Sequence, residues 1–188
     1  MYLATAQTPT NMEQIRLVFI TLFAFGLTLW CRASDQRSPE VVRFNMEKDL
    51  LLVQYDCKTD VDDLHAVAAF ATLMADTAYA KLRYHAVAGT YGIQEGLYVP
   101  PNQLFQVAFG SNWTDAHKNL EGAVQRVKNV VRSTLTNQGD VWIAEAGQSD
   151  FSARLINAIQ AEWPDINTSE RIHVVQHSDW NESVTASG

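Results

Sequence analysis

The stretch that decides the fold is Asp49-Leu-Leu-Leu-Val-Gln-Tyr55, followed directly by Asp56-Cys-Lys-Thr-Asp-Val-Asp-Asp63. A short apolar run of this kind is typical of a strand that is buried on both faces of a sheet. After the acidic segment, apolar residues recur at helical spacing: Leu64, Val67, Ala68, Ala71 and Met74. Two carboxylates stand at the start of this helix, where the helix dipole favours negative charge. The sequence therefore predicts a strand, an acidic loop and a helix.

The rest of the chain repeats this alternation. Further strands are predicted at 84–89, 141–146 and 171–176, and helices at 102–109, 119–135 and 151–161. Ser183 and the residues after it follow the fourth strand with no closing helix. Alternating strands and helices specify an α/β fold with a mainly parallel sheet and flanking helices.

Composition excludes several classes of protein. The chain has 188 residues, 47% of them apolar, and a formal net charge of −7. These values exclude a disordered, a collagen-like or a polybasic chain. An acidic chain has no general attraction to phosphate backbones, so we expect a small-molecule partner and no nucleic acid.

Residues 1–33 are predicted to be an upstream read-through plus a signal peptide, with Met12 as the natural start. Arg16 precedes the apolar stretch 17–30, and small residues follow at Ala33 and Ser34. The alternative is a membrane anchor, but the stretch is shorter than the roughly 20 residues that a spanning helix needs. We expect an exported protein, periplasmic or extracellular, without a stable membrane anchor after cleavage. The α/β domain would then be 34–188, with Cys57 as its one thiol, interpreted as a small buried residue.

Topology locates the site, because ligands of parallel α/β sheets bind at the carboxyl ends of the strands. Each predicted strand ends in polar residues. They are Asp56, Lys58, Asp60, Asp62 and Asp63, then Thr90, Gln94 and Glu95, then Glu145, Gln148, Ser149 and Asp150, and finally His177, Asp179, Asn181 and Glu182. Such an oxygen-rich set suits a hard cation such as Ca²⁺, or the hydroxyls of a sugar.

The same residues resemble the inosine-uridine-preferring nucleoside hydrolases. That family opens with an apolar strand, Asp-x-Asp-x-x-x-Asp-Asp and a helix, which Asp56, Asp62 and Asp63 match here. Ala88-Gly89-Thr90 and Ile143-Ala-Glu-Ala-Gly-Gln-Ser-Asp150 resemble later family segments, so the likeness runs in order over about 130 residues. It implies a Rossmann-like nucleoside hydrolase core that hydrolyses the N-glycosidic bond of ribonucleosides with bound Ca²⁺. Family members run further, so the chain is expected to be incomplete at its C-terminus and to expose a sheet edge, and it could form a homo-oligomer.

The resemblance also implies a role for individual residues. Asp63 would ligate calcium, Asp62 would bind a ribose hydroxyl, and Glu145 would offer its main-chain oxygen to the ion. Lys58 stands where the family has the aspartate that ligates calcium and activates water, and Thr90 replaces an asparagine. Three alternatives follow: the Lys58 ammonium takes the place of the metal, Asp60 takes the missing role, or the site is inactive.

The resulting functional hypothesis is hydrolysis of an N-glycosidic bond by water that a carboxylate or a metal activates. The alternative is a non-catalytic exported module that binds a sugar or nucleoside, with Lys58 in place of the metal. The expected residues are, as catalytic groups, Asp56, Asp60 and Asp62; as substrate-binding groups, Asp62, Thr90, Glu95, His177 and Asn181; and as ligands of Ca²⁺, Asp63, Glu145 and Asp60.

Overall fold

The computed structural model describes residues 42–59, 61–183 and 185, and every element below lies in the unit Arg43–Gly188. The strands are β1 (Leu50–Tyr55), β2 (Tyr84–Ala88), β3 (Trp113–Asp115), β4 (Val141–Ala144) and β5 (Ile172–Val175). The helices are α1 (Asp62–Met74), α2 (Asn102–Phe109), α3 (Leu120–Thr136), α4 (Asp150–Glu162), α5 (Thr168–Arg171) and α6 (Trp180–Ser183), with a 3₁₀ turn at Thr77–Tyr79.

The five strands form one parallel sheet in the order β3-β2-β1-β4-β5. In β1, Val53 pairs with Ala86 of β2 on one side and with Ala144 of β4 on the other. The chain winds outward from β1 in both directions, so the crevice where the strand order reverses lies at the carboxyl ends of β1 and β4. The α/β prediction is confirmed, and the fold is Rossmann-like.

The sheet is covered on both faces, which is why β1 reads as a continuous apolar run. Alternate residues of β1 point to opposite faces. Leu50 and Leu52 belong to one core cluster with α3 and α4, whereas Val53 and Tyr55 belong to a second cluster with α2. Because both faces are packed, β1 is fixed in position and so is the acidic loop that follows it.

Three short elements and the 3₁₀ turn were not predicted from the sequence. β3 has only three residues, and its parallel pairing with Ala86–Ala88 defines it rather than any apolar run. The short helices α5 and α6 precede and follow β5, where the sequence predicted no helix. All of these elements are too short to show a periodic pattern.

The predicted leader, residues 1–33, lies outside the described part of the chain. Within residues 42–59, 61–183 and 185, no helix is long and apolar enough to cross a membrane.

Candidate functional site

A cavity of about 340 Å³ opens at the carboxyl ends of β1 and β4, as the topology predicts. Segments that follow four strands, β1, β2, β4 and β5, form its wall. The lining residues are Asp56, Lys58, Thr59, Asp62, Asp63, Gln94, Glu145, Ala146, Gly147, His177, Trp180 and Asn181. Six of them were predicted as catalytic, substrate-binding or metal-binding residues: Asp56, Asp62, Asp63, Glu145, His177 and Asn181.

The loop after β1 folds back on the carboxylates that it carries. Cys57 and Thr59 both adopt a left-handed backbone conformation, with φ of 55° and 65°. This geometry turns successive amides toward the carboxylates: the Cys57 amide donates to Asp63 Oδ2 at 2.7 Å, and the Lys58 amide donates to Asp56 Oδ1 at 2.8 Å. Left-handed non-glycine residues are uncommon and concentrate at functional sites.

Gly147 allows the loop after β4 to approach this acidic loop closely. Its φ is +76°, and a Cβ atom at this position would lie 2.7 Å from Cβ of Asp56. Only glycine combines that conformation with that contact. Gly147 is held from the other side, because Asn181 Nδ2 donates to its carbonyl at 2.6 Å. The Asp56 carboxyl is therefore enclosed between the two loops.

Asp56 and Asp63 form a carboxyl pair in the cavity wall. Burial is the main cause that raises the pKa of Asp63 from 3.8 to about 7, and the Cys57 amide opposes the shift. The neighbouring Asp56 carboxyl is one of the groups that raise the pKa of Asp63. A carboxyl group that titrates near neutral pH in a cavity is suited to proton transfer.

Lys58 lines the cavity, but its ammonium points toward the loop after β2. Its Nζ donates to the Gln94 carbonyl at 2.6 Å and lies 4.0 Å from the centre of the Tyr91 ring. The first alternative expected this ammonium to neutralise Asp62 and Asp63. In the part of the chain that the structure describes, Lys58 forms no ion pair with Asp63, and the loop after β2 holds its ammonium.

Three of the predicted residues are not placed in the cavity wall. Thr90 is fully buried, and its hydroxyl donates to the Ala146 carbonyl at 3.3 Å, so it joins two loops below the cavity. Glu95 is exposed and is not a lining residue. Asp60 lies outside the described residues.

The sequence placed Gln148 among the polar residues at the carboxyl edge of the sheet without a specific role, and in the structure it holds the loop after β2. Its side chain is buried, and Oε1 accepts the amides of Gly92 and Gln94, at 3.0 and 2.7 Å. Gln148 thereby fixes the loop that receives Lys58. Its position directly after the strand-ending Glu145-Ala-Gly segment was the available signal, but nothing in the sequence indicates its partners.

A calcium site needs several oxygen ligands around one point. Among the residues that are described, no group of three or more His, Cys, Asp or Glu side chains is arranged to hold a metal ion. Asp63 Oδ2 is already engaged by the Cys57 amide, and the second-aspartate position carries Lys58. Asp60, an expected ligand, lies outside the described residues, and Glu145 was expected to contribute its main-chain oxygen, so the calcium site stays a prediction.

Comparisons with known proteins do not identify a family. No protein-family model and no curated protein matches the chain. Two solved structures of ferredoxin-NADP⁺ reductase from Plasmodium falciparum, one of them a mutant, are similar at TM-scores of 0.32 and 0.35 and 13% and 12% identity. The alignment covers 70% of this chain, and the chain spans about half of those proteins, 54% and 53%.

Proposed function

We propose that the protein hydrolyses the N-glycosidic bond of a nucleoside or a related riboside. The observation that carries the proposal is the Asp56–Asp63 carboxyl pair, which lines the cavity at the sheet's carboxyl edge with the pKa of Asp63 raised to about 7. Carboxylates in an oxygen-rich cavity can activate water, orient ribose hydroxyls and stabilise positive charge on a sugar.

In the proposed reaction, one carboxylate of the pair takes a proton from water as the water oxygen bonds to the anomeric carbon. The carbon–nitrogen bond breaks, and its electron pair leaves with the base. The base then takes up one proton, so that the products are free ribose and the protonated base. The negative charge of Asp62 at the mouth of the cavity stabilises the oxocarbenium character of the sugar.

Two residues that follow β5 are suited to the leaving base. His177 and Trp180 line the cavity, and Trp180 is 47% exposed. An exposed indole can stack on a planar base, and an imidazole can donate a hydrogen bond to a base nitrogen. The side chain of Asn181, in contrast, is occupied by Gly147 and the Ser178 amide, so its role is to hold the loop.

No step of this proposal passes through calcium, because no described group of three or more His, Cys, Asp or Glu side chains is arranged to hold a metal ion. The alternative function is the binding module, in which the same cavity holds a sugar or nucleoside without turnover. In that alternative the Lys58 ammonium takes the place of the metal. The ammonium instead contacts the Gln94 carbonyl and the Tyr91 ring, and these contacts favour the hydrolase over the binding module.

The proposed partner is a small nucleoside or sugar rather than nucleic acid, in keeping with the acidic composition. The proposed location is outside the cytoplasm. It rests on the apolar stretch 17–30 and on the small residues that follow it.

The test is release of free base and reducing sugar from a panel of purine and pyrimidine ribonucleosides, in a metal chelator and with added Ca²⁺. We expect turnover in the chelator and a loss of about 100-fold or more in Asp56→Asn and in Asp63→Asn. Asp165→Asn, which precedes β5 at the amino edge of the sheet, is the matched control and should keep the full rate. Saturable nucleoside binding without turnover would replace the proposal by the binding module. Turnover only with Ca²⁺ would refute the metal-free scheme.

A further inference from the structure

Three triplets of the sequence have the form Asn-X-Ser/Thr, with X other than proline: Asn112-Trp-Thr114, Asn167-Thr-Ser169 and Asn181-Glu-Ser183. This triplet is the acceptor signal for N-linked glycosylation. Because a glycan is bulky and strongly hydrated, its asparagine has to lie on the surface of the folded chain. All three triplets fall within the described residues, so the fold decides which of them a glycan fits.

The first asparagine is a structural link between β2 and the start of β3. Asn112 Nδ2 donates to the Tyr84 carbonyl at 2.7 Å, and Oδ1 lies 3.0 Å from Nδ1 of His85. Thr114, the hydroxyl residue of this triplet, is 5% exposed and lies 2.8 Å from Nε2 of the same histidine. A sugar on Asn112 would break these contacts and leave polar groups without partners, which is costly.

The third asparagine is buried beside the candidate site. Asn181 is 2% exposed, and its Nδ2 donates to the Gly147 carbonyl at 2.6 Å. Its Oδ1 accepts the Ser178 amide at 3.1 Å. The nitrogen that a glycan needs is therefore enclosed and already engaged.

Asn167 differs from both, because it is exposed in the segment between α4 and β5. The middle residue of its triplet, Thr168, is 8% exposed, and its hydroxyl accepts Gln160 Nε2 at 2.8 Å. This contact anchors the segment while Asn167 and Ser169 on either side are exposed to solvent.

The side chains of this triplet are arranged with the amide nitrogen available. Ser169 Oγ donates to Asn167 Oδ1 at 2.7 Å, whereas Nδ2 donates to no group among the described residues. Both residues line an open cavity of about 540 Å³ that the loop before β5 forms with Gln160. The nitrogen thus has neither a partner to lose nor a wall in front of it.

We propose that Asn167 is an N-glycosylation site of the exported protein. The donor is an oligosaccharide joined to a lipid through pyrophosphate, which a transferase brings to the loop. Asn167 Nδ2 bonds to the anomeric carbon of the first sugar as the bond from that carbon to the pyrophosphate oxygen breaks. The electron pair leaves with the lipid pyrophosphate, and Nδ2 releases one proton to water.

This site rests on the proposed location outside the cytoplasm and not on the proposed hydrolysis. Asn167 precedes β5 and lies at the amino edge of the sheet, whereas the first cavity opens at the carboxyl edge. Asn167→Gln should therefore hydrolyse nucleosides at the wild-type rate, so that a failure of one proposal is distinguishable from a failure of the other.

The test is incubation of the purified, folded whole chain with an oligosaccharyltransferase and a lipid-pyrophosphate oligosaccharide, followed by peptide mass spectrometry. We expect a glycan on Asn167 and none on Asn112 or Asn181. Asn167→Gln and Ser169→Ala should lose the modification, whereas Ser169→Thr, which keeps the hydroxyl, should retain it.

Peptides give the matched control for the fold. Synthetic peptides of residues 108–118, 163–173 and 177–187 each carry one triplet without its tertiary contacts, so all three should accept the glycan. A folded chain that stays unmodified at Asn167 would overturn the proposal, and the 163–173 peptide shows whether the triplet or its place in the fold is the cause. Equal modification of Asn112 or Asn181 in the folded chain would also overturn it.

Secretion of the whole chain from eukaryotic cells tests the modification in its cellular route. The secreted protein should carry a glycan that Asn167→Gln removes and Asn112→Gln leaves in place. A secreted chain with a bare Asn167 would contradict the proposal. A chain retained in the cytoplasm would refute the proposed location and this site with it.

Discussion

At the scale of single residues, the raised pKa of Asp63 makes the free energy of unfolding depend on pH. The pKa of Asp63 is raised from 3.8 to about 7, mainly by burial, so the folded state binds a proton that the unfolded state has released. Whenever the folded state holds the extra proton, the free energy of unfolding falls as pH rises. We predict a decrease between about pH 4 and pH 7, with a slope of at most about 1.4 kcal/mol per pH unit for one proton.

Urea unfolding of Asp63→Asn at a series of pH values checks this prediction. The amide cannot titrate, so the decrease between pH 4 and pH 7 should disappear and the variant should be the more stable chain near pH 7. Asp165→Asn, an exposed carboxylate outside the cavity, should keep the wild-type pH dependence. Parallel pH curves for Asp63→Asn and wild type would show that Asp63 has an ordinary pKa.

Lys58 gives a second prediction at this scale. Calorimetric titration with Ca²⁺ should show no saturable binding by the wild type, because its described residues do not form a calcium site. Lys58→Asp adds a carboxylate to a cavity that already contains Asp56 and Asp63, and removes a positive charge. We expect the variant to gain saturable Ca²⁺ binding. Wild-type binding that Asp63→Ala abolishes would instead favour a calcium-dependent hydrolase.

The sequence was sufficient to predict that Asp56, Asp62 and Asp63 gather at the site, since they directly follow a buried strand. It could not predict their contacts. The pairing of Asp56 with Asp63 depends on left-handed backbone at Cys57 and Thr59, residue types for which that conformation is uncommon. Thr90 and Glu95 follow the same strand, and only the path of the loop buries one and exposes the other.

At the scale of elements, α4 follows the loop after β4 that lines the cavity, and it packs on the sheet through its buried face. Leu155 of α4 is fully buried in the core cluster. We predict that Leu155→Ala lowers the free energy of unfolding by about 2–5 kcal/mol, through lost burial and a residual cavity. Val107→Ala in α2, where the side chain is 86% exposed, should change it by less than about 0.5 kcal/mol. Equal values from denaturant unfolding would mean that α4 does not pack as described.

Long strands and helices were predicted more accurately from the sequence than short ones. The four apolar strands and the helices of α2, α3 and α4 have clear periodicity, and the structure places them within a few residues of their predicted bounds. β3 and α6 have three and four residues, and their tertiary contacts rather than a pattern define them. Trp113 and Thr114 of β3 pair with β2 at the edge of the sheet, where no second apolar face is required.

At the scale of the whole molecule, the strand order explains why residues far apart in the chain form one site. β1 is the central strand, β4 lies beside it, and their carboxyl ends bring Asp56 next to Gly147. The alternation of elements was enough to predict this edge as the binding edge. Charge and composition excluded nucleic acid as the expected partner, but they hold no information on which riboside the cavity accepts.

The central claim is that the Asp56–Asp63 pair transfers the proton in hydrolysis. The most direct test is kcat/KM for nucleoside hydrolysis against pH in a metal chelator, because this ratio reports the pKa values of the free protein. We predict a kcat/KM that rises with pH to a plateau, with a midpoint near the pKa of Asp63, about 7. The Asp63→Asn variant should lose this rise together with most of its activity. A kcat/KM that does not vary between about pH 5 and pH 8, or an Asp63→Asn variant with the wild-type profile, would contradict it.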